Sequence, residues 1–312
     1  MKISHLLAIA FLIGTAALAN AQVTVYNNIP NPLPLNVFSQ GPEAYAFTEM
    51  GDGLNLAPGG DIVVVPGLTT ETHVLNTVTV VLQSWACQSG VWYNPSGPNA
   101  CVSTAGATHN IPVTVNIYAV KSAGTSLEGN PAPTPGTLLA TATQTFQMPY
   151  RPSSDFVNCP ASPAQASSNY YQWYDATTQT CQDGIDFPIT FDLSSLYLQL
   201  PNKIIVTFSF NTTSYGPNPK GTGTACFGTI AGCFYDGLNF SGFPNSAAYP
   251  GAILAPSAGS VLNVNGIYMR FPSGGPNSNF CGTGPVSQNI LALDASPGCY
   301  TGNHPLIQVT VQ

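Results

Sequence analysis

Glu43 and Glu49 lie an even number of positions apart, so an extended strand would present both carboxylates on one face. Asp183 and Asp186 form a second close pair around Gly184. Glycoside hydrolysis needs two carboxyl groups about 5–10 Å apart. The chain has thirteen acidic residues, few enough that such pairs arise by coincidence, and Asp183-Gly184 is itself a turn signal. Asp52, Asp61, Asp183 and Asp186 are candidate oxygen donors for Ca²⁺, but a complete D-x-D-x-D-G loop is absent. These acids are read as turn residues, and neither a metal nor another cofactor is expected. His73, His109 and His304 are far apart in sequence, and none has a second histidine or a carboxylate at ligand spacing. Their expected place is the surface or a strand end. The sequence has no Gly-x-Ser-x-Gly elbow, and no catalytic residue is assigned.

The cysteines carry the clearest pattern. Eight of them fall into four close pairs: Cys87 with Cys101, Cys159 with Cys181, Cys226 with Cys233, and Cys281 with Cys299. None of these is the C-x-x-C of a zinc or redox site. Short separations favour sequential disulfides, each worth about 2–4 kcal/mol. Residues 1–21 read as a secretion signal: Lys2, an apolar stretch over 6–18, and Ala19-Asn20-Ala21 before a cleavage point at Gln22. The apolar stretch is too short for a span of ~20 residues. Export and disulfides agree, because disulfides persist in oxidising compartments. The end at 309–312 shows no sorting tail, so the expected product is a released extracellular protein without membrane insertion.

Aromatic residues gather inside two of the cysteine loops: Trp92 and Tyr93 in one, and Tyr170, Tyr171, Trp173 and Tyr174 in the other. Rings held in a stapled loop can stack on a sugar or on a partner's aromatic side chain. Tyr171, Trp173 and Tyr174 are the ligand-binding candidates, with Trp173 offering the largest flat face. The competing reading makes these rings a lid over the fold. Arg151 stands out because basic residues are rare; it can pin a loop by pairing with Asp155 or stacking on Tyr150.

The surrounding elements are strands. Residues 112–120 alternate Val113, Val115, Ile117 and Ala119 with Thr114, Asn116 and Tyr118, the period of a half-buried strand. Further strands are expected over 62–65, 78–85, 138–148, 189–193, 203–211, 266–271 and 306–311. Residues 204–210 begin apolar on both faces, as a central strand would. The 28 prolines and 30 glycines interrupt every helical pattern except a short turn at 192–196. Long Pro/Gly/Ser/Asn-rich loops over 86–111, 151–187, 215–252 and 273–290 each hold cysteine. This predicts an all-β chain, a β-sandwich or jelly-roll-like fold with long disulfide-stapled loops. One domain over 22–312 is expected, with a division near 215–250 as the alternative.

The segments VTVVLQSWAC (78–87), IPVTVNIYAV (111–120), QMPYRPS (147–153) and ITFDLSSL (189–196) resemble a family of uncharacterised secreted bacterial β-sandwich proteins. The resemblance spans roughly residues 44 to 240. It implies a β-sandwich exported by bacteria, and it carries no catalytic or binding residue over to this chain.

Charged residues make up 6% of the chain and the formal net charge is −7. Nucleic acid binding depends on basic clusters, and basic runs are absent, so no nucleic acid partner is expected and anionic membrane surfaces are disfavoured. Three readings of function remain: non-enzymatic binding of a glycan or an extracellular protein surface, a carboxylate-dependent hydrolase or lyase, and a structural envelope or matrix component. Non-reducing peptide mapping is expected to recover the four sequential bridges; one crossed pair would refute the connectivity.

Overall fold

The computed structural model describes residues 22–31, 33, 38–40, 49–59, 61–65, 68–89, 101–160, 172–182, 184–210, 238–242, 256–270, 289–295 and 304–312. Side-chain alternation assigns the faces of its strands. In β6 (Thr108–Lys121), Ile111, Val113, Val115 and Ile117 are buried in the core, while Asn110, Pro112, Thr114 and Asn116 point the other way. In β12 (Lys203–Phe210), Ile204, Val206 and Phe208 enter the same core, and Ile205 joins a smaller apolar cluster on the opposite face. That double-sided burial is the mark of a central strand, and β12 lies between β6 and β3 (Glu49–Asn55).

Two antiparallel sheets result. One runs in the order β1 (Val23–Asn27), β17 (Ile307–Val311), β5 (Leu68–Ser84), β13 (Leu238–Gly242), β2 (Phe38–Gln40). Its long strand β5 also pairs with β4 (Asp61–Val65), β10 (Ile185–Asp192) and β11 (Gln199–Leu200). The other runs β16 (Leu291–Asp294), β15 (Ile267–Arg270), β3, β12, β6, β7 (Thr134–Pro149), with β14 (Ser260–Val261) on β3. A small hairpin of β8 (Trp173–Asp175) and β9 (Thr180–Gln182) stands apart from both. The helical content near 192–196 is a 3-10 turn over Ser194–Leu196. The fold is all-β and sandwich-like.

A single apolar cluster joins the sheets, with Val78, Val80, Leu82, Ile189, Phe191 and Val309 facing Met50, Leu54, Val113, Val115, Val206 and Phe208. Five phenylalanines cross it in a row: Phe146 to Phe191 at 4.9 Å between ring centroids, Phe191 to Phe208 at 6.1 Å, Phe208 to Phe240 at 6.0 Å, and Phe240 to Phe210 at 5.1 Å. Strand β3, with the sequence EMGDGLN, was not among the expected strands. Its glycine at 51 is required by close approach: a Cβ there would collide with the Val206 carbonyl oxygen of β12.

Among the described residues two bridges are formed, Cys87–Cys101 and Cys159–Cys181, with Cα–Cα distances of 5.3 and 5.7 Å. Both are sequential and lie outside the two large sheets. Cys226, Cys233, Cys281 and Cys299 fall outside the described residues.

Removing the middle ring of the row by Phe208→Ala is expected to cost about 3–5 kcal/mol. Thr145→Ala, on an exposed outward position, is expected to stay within about 0.5 kcal/mol. Equal urea midpoints for the two variants would contradict this assignment of faces.

Candidate functional site

The stapled loop chosen from sequence is built around Gly184. Trp173 is 6% exposed, and its indole N–H donates to the Gly184 carbonyl oxygen at 2.9 Å. The ring of Trp85 also lies against Gly184, where a Cβ would collide with the indole. Glycine is therefore the residue that fits against Trp85 and Gln83 here. Trp85 itself packs on the Cys87–Cys101 bridge. Tyr174 faces Cys181 across the hairpin and is half-buried. Tyr171, Trp92 and Tyr93 lie outside the described residues. Trp173 thus packs inside the loop, and Tyr174 is the candidate ring that reaches solvent among the described residues.

Arg151 is completely buried beside this loop. Its backbone N–H donates to the Ala86 carbonyl at 3.0 Å and its Nε to the Pro152 carbonyl at 3.3 Å. The carboxylate of Asp155 is engaged by its own turn, through the N–H groups of Val157 and Asn158 and the Asn158 side chain. Tyr150 stacks with His109, at 4.5 Å between centroids.

The histidines were expected at the surface or at a strand end; all three are buried, and His109 lies at the start of β6. His109 lies against Tyr150 with neither ring nitrogen hydrogen-bonded among the described residues, and burial pushes its pKa down to about 4. His304 is held differently. Nδ1 meets Asp52 Oδ2 at 2.8 Å and Nε2 meets the Val264 carbonyl at 3.3 Å, so both ring nitrogens face acceptors. Burial pulls its pKa down, but the Asp52 charge, the hydrogen bond to it and the Val264 carbonyl together lift it above the usual 6.5. An imidazolium fixed on two acceptors leaves no nitrogen for a nucleophile, so the pair is a clamp. Asp52 also accepts the Gly53 N–H at 2.7 Å. Burial, and then this carboxylate, raise the pKa of Tyr26 and Tyr268.

Asp52 and Asp186 are buried in strands rather than solvating turns, against the sequence reading. Asp155, Asp175 and Asp192 do cap turns, and the hydrogen bonds they accept lower their pKa values. Glu43, the proposed partner of Glu49, lies outside the described residues.

Glu49 anchors the outward face of the second sheet. Its Oε1 accepts from Asn116 Nδ2 and from the Tyr118 hydroxyl, each at 2.9 Å, and from the Thr207 hydroxyl. Its Oε2 pairs with Arg270 Nε at 2.8 Å, and Arg270 Nη1 donates to the Asn289 carbonyl at 2.9 Å. Burial, and then the Glu49 charge, push the Tyr118 phenol up to about 12. From this cluster the polar face continues without charge. Thr141 donates to Asn116 Oδ1 at 2.7 Å, and the hydroxyls of Thr114 and Thr143 meet at 2.7 Å. Thr141, Thr143, Thr145, Gln147 and Asn110 are exposed along it. The register that aligns Asn110 with Gln147, Thr114 with Thr143 and Asn116 with Thr141 makes it a two-strand ladder of hydroxyls and amides. Sequence reasoning missed this face; its signal was the run of alternate threonines over 141–145.

Among the described residues, no group of three or more His, Cys, Asp or Glu side chains is placed to hold a metal ion, and no helix is long and apolar enough to cross a membrane. Comparison with family models, curated proteins and solved structures finds no match.

The two histidines predict opposite pH limbs. The unfolded chain takes up a proton at His109 before the native state does, so stability falls as pH drops from 6.5 toward about 4. The native state holds the His304 proton more tightly than the unfolded chain, so that contribution is complete below 6.5 and is lost as pH rises through the raised native value. Urea titrations across pH are expected to show His109→Phe flattening the acid limb and His304→Gln the alkaline one. Unchanged limbs in both variants would refute the assignment.

Proposed function

We propose that this chain is a secreted, non-enzymatic β-sandwich that binds a neutral glycan on the outward face of its second sheet. The observation that carries this reading is the uncharged ladder of Asn110, Thr141, Thr143, Thr145 and Gln147. A neutral sugar exchanges hydrogen bonds with water for hydrogen bonds with such a face, and no charge need be desolvated in doing so. Side chains fixed on a sheet also lose little freedom on binding. Tyr174, half-buried on the β8–β9 hairpin, is proposed as a second contact. Export of the chain is supported by the leader-like residues 1–21 and by the two disulfides.

A hydrolase needs one carboxylic acid and one free carboxylate on either side of a scissile bond. Glu49 is held by four partners and Asp52 by two, which favours binding over catalysis. A protein surface as ligand remains an outcome of the test below.

The test is a glycan array probed with the secreted chain and with the triple variant Asn110→Ala, Thr145→Ala, Gln147→Ala. The wild type is expected to retain a neutral glycan, and the variant to bind it at least about tenfold more weakly, since each lost hydrogen bond is worth about 0.5–1.5 kcal/mol. Its melting temperature is expected to be unchanged. An array on which no neutral glycan is retained, or a folded variant that binds as the wild type does, would overturn the proposal. Shortening of the bound glycan on incubation would move the protein to the hydrolase reading.

A further inference from the structure

We infer that β7 is an interface strand that pairs antiparallel with β7 of a second copy of this chain, about a twofold axis at Thr143. The inference stands on the sheet edge and is independent of what the outward face binds.

Strand β7 ends the order of the second sheet, and among the described strands it is hydrogen-bonded to β6 alone. Its core-facing Ala140, Ala142 and Phe146 are only half-buried, whereas their counterparts Ile111, Val113, Val115 and Ile117 on β6 are buried. Among the described residues no strand pairs with the other side of β7. An open edge offers unpaired N–H and C=O groups to any extended chain, and proteins blunt such edges with charge, proline, bulges or brevity. The other described edges follow that rule. Strand β10 carries Asp186, Pro188 and Asp192 within eight residues. Strand β1 is five residues long with an irregular register between Thr24 and Tyr26. Strand β16 has four residues and ends in Asp294, and β2 has three. Strand β7 has 16 residues; its prolines stand at 135 and 149 and its register is irregular up to Ala140, but from Ala140 to Met148 it contains no charge, proline or register break.

Self-pairing is favoured by the sequence of the strand. A twofold at Thr143 sets Thr143 opposite itself and Thr141 opposite the second copy's Thr145, so the outward face forms threonine pairs, a favourable cross-strand combination. On the core side it sets Ala140 opposite Phe146 and Ala142 opposite Gln144, small against large. Because one position moves each side chain to the other face, this register keeps Thr141, Thr143 and Thr145 outward, and the match ends at the irregular register near Leu138. The chain as a whole is acidic, but no like charges meet along the strand. Twofold contacts of this kind are self-complementary and closed, so the product is a dimer and not a fibre.

The experiment is sedimentation velocity of the secreted chain, disulfides intact, across a concentration series. A dimer is expected for the wild type. Thr143→Lys and Thr143→Glu each place like charges face to face on the axis, and each is expected to weaken the dimer at least about tenfold. An equimolar mixture of the two is expected to restore it as a heterodimer. Thr143 is exposed, so circular dichroism and melting temperature serve to show that each variant is folded. A wild type that stays monomeric throughout, a folded Thr143→Lys chain that stays dimeric, or a mixture that fails to pair would each overturn the inference. A foreign strand captured on β7 of a monomeric protein would overturn it as well.

Discussion

Removing a carboxylate from water costs several kcal/mol unless donors replace the lost hydration, and β3 makes that demand twice within four residues. Glu49 and Asp52 face opposite sides of the same strand. Glu49 is met by donors from β6, β12 and β15; Asp52 is met by the Gly53 amide and by His304, just ahead of β17. Each acid thereby ties together segments that hydrophobic burial alone would leave free to slide. The apolar core sets how closely the sheets approach, and these two carboxylates fix which strand lies where. With 6% of its residues charged, the chain has few other groups for that task.

The same scarcity shapes the outward face. Where Glu49 and Arg270 end, the surface passes to threonine, asparagine and glutamine, whose hydroxyls and amides bond partly to one another and partly to water. Such a face has little long-range field. Any contact made on it would depend on shape and hydrogen-bond geometry rather than on steering from a distance.

Strands with a clean period of two were legible in the sequence. Strands β6, β7, β12 and β17 emerge close to their expected limits, and the two described disulfides join cysteines near in sequence, where local spacing is informative. Strand β3 was not legible, because two glycines and two acids read as a turn until Gly51 is seen beneath β12 and the acids are seen among their donors. The Asp52–His304 clamp joins residues 252 positions apart, a distance at which spacing says nothing. The burial of the histidines was not legible for a related reason: one is rescued from the cost of burial by a remote carboxylate, and another is buried neutral against a ring. The polar ladder was visible as alternation in each strand separately. It became a surface only through the register that brings Thr114 beside Thr143.

Strand β17 lies between β1 and β5, so the first sheet is completed by residues near the far end of the chain. Neither neighbour can be fully paired until 307–311 have been made and delivered. Contacts of such high sequence separation slow folding, since the closing entropy of a long loop precedes the reward. A ribosome-bound or partly translocated chain would hold an incomplete sheet with a vacant slot. Closure of the first sheet is therefore a late event in synthesis, and the strands made earlier wait for it with one edge unpaired.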